Sequence, residues 1–128
     1  MKEIVQTEKA PAAIGPYSQA VRVDQWLFVS GQIPIDPVSG SLIAGPASDQ
    51  TRRCLENLKQ ILDAAGYQLR DVVKATLFIS DMDQFTSINE VYAEYFNQDP
   101  PARACVEVAR LPKDVAVEIE TIAYRTRS

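Results

Sequence analysis

Residues 72–80 read VVKATLFIS, an apolar and β-branched run interrupted by a single lysine. Such near-continuous apolarity suits a central strand covered on both faces better than an edge strand. Segments of helical period flank it. Upstream, over residues 48–65, Leu55, Leu58, Leu62 and Ala65 share one stripe. Ser48 is the candidate N-cap there, and Gly66 sits where a left-handed C-terminal cap belongs. Downstream, Phe85, Ile88, Val91, Tyr92, Tyr95 and Phe96 form a second stripe. Asp81 or Asp83 can cap its start, and Pro100-Pro101 must end it.

Working outward, residues 18–23 and 26–33 read as two strands joined by a tight turn at Asp24-Gln25. Residues 36–40 (DPVSG) form a loop. Two further strands fall at residues 103–108 and 115–124, and a short one is expected near Ile4. The order β-β-α-β-α-β-β predicts an α+β sandwich, with two helices on one face of a mostly antiparallel or mixed sheet. The other face must be solvated or covered by another chain.

Side chains alternate along a strand. Ala104, Val106 and Val108 therefore share one face, against Arg103, Cys105 and Glu107 on the other. Likewise Val115, Val117 and Ile119 oppose Glu118 and Glu120. If the apolar sets pack on the helices, Arg103, Glu118 and Glu120 share the outer face. Two explanations fit that grouping: ordinary solvent-facing charges paired across strands, or an anion site with a carboxylate beside it. Periodicity does not choose between them.

The 128 residues fit one domain spanning 1–128. The net charge of -4, from 13 basic and 17 acidic side chains, argues against nucleic acid, whose binders carry a basic stripe. There is no histidine, which removes the commonest general base, every Ser-His or Cys-His pair and most zinc sites. Acid–base chemistry then falls to carboxylates, Tyr, Lys, Cys or water. Cys54 and Cys105 form neither a CxxC pair nor a disulfide framework, as suits a reducing cytosol. The first 18 residues hold no apolar signal-peptide core, and no run is long and apolar enough to span a membrane. A soluble, cytoplasmic protein is expected.

Residues 101–123, PARACVEVARLPKDVAVEIETIA, closely resemble the C-terminal signature of the RidA (YjgF) family. AIGPYSQA at 13–20, VSGQIP at 29–34, DAAG at 63–66 and FTSINEVYAEYF at 85–96 also look like family segments, in family order. The likeness covers essentially the whole chain; the short loop at 97–101 is the departure most worth noting.

The resemblance implies a fold like Bacillus-type chorismate mutase, a mixed sheet with two helices on one face, assembled as a homotrimer with sites between subunits. It implies hydrolysis of 2-aminoacrylate-type enamines and their imine tautomers (2-iminobutanoate, 2-iminopropanoate) to 2-oxo acids and ammonium. Pyridoxal-phosphate dehydratases release these intermediates, which damage other enzymes. No cofactor or metal is implied, and the partners are small carboxylates and further copies of the chain. A non-catalytic trimer sensing 2-oxo acids, and an RNA-cleaving translation inhibitor, are the competing readings.

By the same resemblance, Arg103 matches the residue that binds the substrate carboxylate, a task suited to a planar guanidinium. Glu118 matches the carboxylate that orients or activates water, with Glu120 as a competitor on the same face. Tyr17, Ser30, Gly31, Cys105 and Asn89 match pocket residues. Cys105 is expected to line the pocket largely through its backbone, since no histidine exists to deprotonate it. Asn89 stands on an otherwise apolar helix stripe, so its amide must find a partner. Each position also has an ordinary structural explanation: an ion pair for Arg103 or Glu118, an interface aromatic for Tyr17, strand-end packing for Ser30 and Gly31. In the family topology, residues 72–80 separate the strands bearing Arg103 and Glu118, so Arg103 of one subunit is expected to work with Glu118 of its neighbour.

Overall fold

The computed structural model describes residues 1–126. Its strands are β1 (Glu3–Val5), β2 (Ala20–Val23), β3 (Trp26–Gln32), β4 (Val72–Ile79), β5 (Ala102–Glu107) and β6 (Val117–Tyr124). Helix α1 (Ala47–Ala64) follows β3, and α2 (Phe85–Tyr95) lies between β4 and β5. The six strands form one sheet in the order β1-β2-β3-β6-β4-β5. Only β4 and β5, joined through α2, run parallel, which makes the sheet mixed as expected.

The two stripes read from the sequence bury as expected. Leu55, Leu58, Leu62 and Ala65 of the first, and Ile88, Val91, Tyr92 and Phe96 of the second, join one core with Leu27, Leu77, Val117 and Ile119 of the sheet. Gly66 takes the left-handed conformation (φ 83°) that a helix C-terminus favours in glycine. Asp24 turns β2 into β3, also left-handed. No helix among the described residues is long and apolar enough to cross a membrane.

The helix starts differ from expectation. Ser48 lies inside α1, whose N-cap is Pro46, with no side-chain cap. The proline ring sets the extended entry, and Asp49 supplies negative charge to the exposed N–H groups of the first turn. Asp81 does cap, but it caps a short 3-10 turn that leads into α2 (Met82–Gln84).

A larger correction concerns the last two strands. On β6 the prediction holds: Val117, Ile119, Thr121 and Ala123 are buried beneath the helices, and Glu118 and Glu120 face outward. On β5 the assignment is reversed. Arg103, Cys105 and Glu107 sit opposite Ala75, Leu77 and Ile79, the helix-side residues of β4. Ala104 and Val106 face outward beside Thr76 and Phe78. Arg103 and Glu118 of one chain therefore lie on opposite faces.

The error has a physical source. Both faces of this sheet carry large apolar side chains: Trp26, Phe28, Val106 and Tyr124 on the face without helices are each between 38% and 45% exposed. An alternating pattern sorts side chains into two sets, but it cannot say which set meets a helix when both faces are apolar. For the same reason β4, interior in the sheet as expected, is fully covered only on its helix side, with Lys74, Thr76 and Phe78 half-buried on the other.

Candidate functional site

The sequence-predicted site residues collect into two groups. The first surrounds Glu118 on the helix-free face. A concavity of about 470 Å³ there is lined by Ile14, Tyr17, Ser30, Gly31, Ile33, Pro112, Lys113 and Glu118. Gly31 sits at a register irregularity between β3 and β6. A Cβ on Gly31 would collide with the Glu118 carboxylate, so only glycine lets that carboxylate lie against the β3 backbone. Ser30 is tied to the preceding loop, its Oγ donating to the Ser18 carbonyl at 2.6 Å and its N–H to the Gln19 carbonyl at 2.9 Å. Tyr17 is exposed, and its hydroxyl accepts from the Ile14 N–H at 3.2 Å.

The Glu118 carboxyl is held above the ordinary carboxylate range, first by burial and then by the neighbouring Glu120 charge. Cross-strand packing explains the burial, because Glu118 stands beside Phe78 of β4.

Buried Gln19, which the sequence reading passed over, anchors the loop before Tyr17. Its Oε1 accepts from Thr7 N–H (2.7 Å), and its Nε2 donates to the Thr7 (3.0 Å) and Pro11 (2.8 Å) carbonyls. A second concavity of about 590 Å³ opens along this loop, but it shares only Tyr17 with the predicted set.

The second group is on the helix side, at the β5 edge. The Arg103 guanidinium lies over the rings of Phe85 (5.4 Å to the centroid) and Tyr92 (5.0 Å) of α2. Its Nη1 donates to Asn89 Oδ1 at 2.6 Å. Arg103 is exposed, and among the described residues it pairs with no carboxylate. Asn89 thus finds its partner in the very residue the sequence reading grouped with it. Cys105 is half-buried against the core, and burial pushes its thiol up, with Arg103 only partly opposing. That is the reverse of an activated nucleophile. Cys54 is sealed in the core with its thiol likewise raised by burial.

Neither group is complete alone. The Glu118 concavity has no guanidinium, and Arg103 borders none of the concavities described. β4 separates their strands, a lateral gap of roughly 9.6 Å at two strand spacings. Arg103 is level with Ala75 and Glu118 with Phe78. The register adds about 10 Å along the strands. One chain cannot bring both to one small molecule.

The family model described as Endoribonuclease L-PSP matches residues 7–125. The chain belongs to the RidA/YjgF family. Among family members it is similar to a RutC family protein of Pyrococcus horikoshii, 58% identical over 98% of this chain and 99% of that one. It is 49% identical to a 2-iminobutanoate/2-iminopropanoate deaminase of Bos taurus, over 98% of this chain and 91% of the relative. The crystal structure of Escherichia coli TdcF with bound serine superimposes with a TM-score of 0.93 at 49% identity, covering 97% of this chain and 99% of that one. The RidA-type mixed sheet with helices on one face is therefore shared along nearly the whole chain.

Sequence reasoning passed over Ile14, Ile33, Pro112 and Lys113 around Glu118, and the role of Phe85 and Tyr92 beneath Arg103. For the aromatic pair a signal existed: Phe85, Asn89 and Tyr92 recur at helical spacing on one face. For the loop residues none did. Lys113 and Asp114 adopt consecutive left-handed conformations (φ 56° and 57°), which no local pattern announces.

The Gly31 contact makes a direct prediction. Gly31→Ala should fold, since the backbone there is not left-handed, yet it must push the Glu118 carboxylate aside. A displacement near 1 Å at a reacting group costs about 100-fold in rate. Circular dichroism should stay native while turnover falls by that order. Unchanged turnover would remove Glu118 from the chemistry.

Proposed function

We propose that this protein hydrolyses 2-imino and 2-enamine acids to 2-oxo acids and ammonium, in a site built between two copies of the chain. The complementarity of the two groups carries this reading. Glu118 stands in a concavity that Lys113 borders but that holds no guanidinium to grip a carboxylate in its plane, and among the described residues Arg103 pairs with no carboxylate and borders no such concavity. The uncovered apolar face supplies a surface on which copies can join, and closed cyclic assembly, here a homotrimer, places one site at each junction. The named activity of the Bos taurus relative and the serine in TdcF agree with a small amino-acid-derived carboxylate as ligand.

In this reading Arg103 holds the carboxylate by two parallel hydrogen bonds and sets the plane of the C=N bond. Glu118 takes a proton from water as the water oxygen bonds to C2 of the N-protonated imine, whose C=N electron pair moves to nitrogen to leave a neutral amine. The carboxyl then returns that proton to nitrogen, the C–N bond breaks as the C2 hydroxyl becomes the carbonyl, and the hydroxyl proton passes through the Glu118 carboxylate to the departing ammonia, which leaves as ammonium. An enamine enters after gaining a proton at its terminal carbon. Tyr17, Ser30 and the Gly31 backbone line the water side; Asn89 and Cys105 line the carboxylate side. Every step runs on the chain's own residues and water, in the cytoplasm where dehydratases release the substrate.

Coupling a threonine dehydratase to the protein and following 2-oxobutanoate and ammonium release tests the proposal. Acceleration is expected. Binding of 2-oxobutanoate with no acceleration would make the protein a carboxylate sensor. The family description names an endoribonuclease, but a chain of net charge -4 without histidine offers little to a polyphosphate. Steeply salt-dependent RNA binding would favour that reading instead.

The raised Glu118 carboxyl also sets a pH dependence. The base form appears only above the ordinary carboxylate range, so activity falls as pH drops through the raised value. Glu120→Gln removes one of the two causes and leaves burial. The acid limb of the kcat/KM profile should then move to lower pH, with activity near neutrality retained. An unmoved limb would assign the titration to another group.

A further inference from the structure

The carboxylate grip proposed above has a structure of its own. Arg103 sits on an edge strand, where a four-torsion side chain would ordinarily sample many rotamers and lose that freedom on binding. Here it does not lie free. The guanidinium is over two aromatic rings, both within the ~6 Å at which a ring attracts a cation. Asn89, between those rings on the same face of α2, takes the hydrogen bond from Nη1. Among the described residues Nε and Nη2 make no hydrogen bond.

Tyr92 is the firmest part of this cradle. It is 4% exposed and packs against Phe96 with ring centroids 4.7 Å apart. Its hydroxyl is buried without a hydrogen-bond partner. A phenol that carries an unpaired buried hydroxyl contributes through its ring rather than its oxygen. Phe85 is half-buried at the start of α2.

We propose that Tyr92, with Phe85, is a positioning residue that fixes the plane of the Arg103 guanidinium, while Asn89 fixes its rotation and leaves the Nε/Nη2 edge free to engage the substrate carboxylate side-on. This deepens the reading of Arg103 as the carboxylate-binding group and rests on it. The cradle touches no reacting atom. It strengthens ground state and transition state alike, so its loss falls on KM rather than kcat.

The test compares competitive inhibition by 2-oxobutanoate and by its neutral primary amide in the coupled assay, using the full-length assembled protein. The two share a shape but not the charge that Arg103 reads. Tyr92→Leu should weaken 2-oxobutanoate about tenfold, between the scales of an exposed and a desolvated cation–ring contact, and leave the amide within about twofold, so the acid-over-amide preference collapses. Tyr92→Phe, which keeps the ring face, should restore that preference. Phe85→Leu, at a less buried position, should show the same loss in smaller measure if Tyr92→Leu does not fold. A preference unchanged in both leucine variants, or acid and amide weakening together, overturns the proposal. Arg103→Ala retaining activity would instead overturn the carboxylate assignment itself, so the two failures are distinguishable.

Discussion

Arg103→Ala should remove the acceleration of 2-iminobutanoate hydrolysis while the fold, and with it the proposed assembly, persists. Two charge-assisted hydrogen bonds to a carboxylate contribute roughly 1.5–3 kcal/mol each, so their loss lowers kcat/KM by about 10²- to 10⁴-fold. The structural cost is small. The guanidinium is exposed and makes one side-chain hydrogen bond and two ring contacts, so stability should drop by about 1 kcal/mol or less. Arg103→Lys should recover little, because an ammonium carries the charge without the planar fork. The coupled assay together with a melting curve checks both halves of the expectation. A variant that keeps its rate would leave the protein with its fold and no assigned chemistry.

The second large effect is a recovery. Arg103→Ala and Glu118→Gln chains should each be inactive alone, yet active when unfolded and refolded together. If each site draws Arg103 from one copy and Glu118 from the next, random assortment in a closed ring leaves about a quarter of the sites intact. About a quarter of the wild-type rate should therefore return, from two dead parents. The geometry behind this is the placement of the two side chains on opposite faces, with β4 between their strands. A mixture with no activity, at a size where exchange of chains is demonstrated, would return both residues to a single-chain site.

Most of the fold was legible because its signals are local. The stripe of Leu55, Leu58 and Leu62, the glycine at 66, the β-branched run of β4 and the Asp24 turn each act over a few residues. The structure places all of them where the sequence predicts. The Ser48 cap failed because a proline two residues earlier already sets the entry to α1. Of the site, residue identities were legible through family resemblance, but their grouping was not. Alternation put Arg103 with Cys105 and Glu107 correctly, and then assigned that set to the wrong face.

By itself the sequence determined which residues share a face along each element, because helix and strand periods are properties of the local backbone. It also excluded histidine chemistry outright, since composition needs no folding to be read. Only the tertiary structure decided which face of β5 meets α2, that Arg103 rests on Tyr92, and that Gly31 makes room for Glu118. Those contacts join residues distant along the chain, some across a sheet apolar on both sides, where the side a strand presents is set by packing partners rather than by its own pattern.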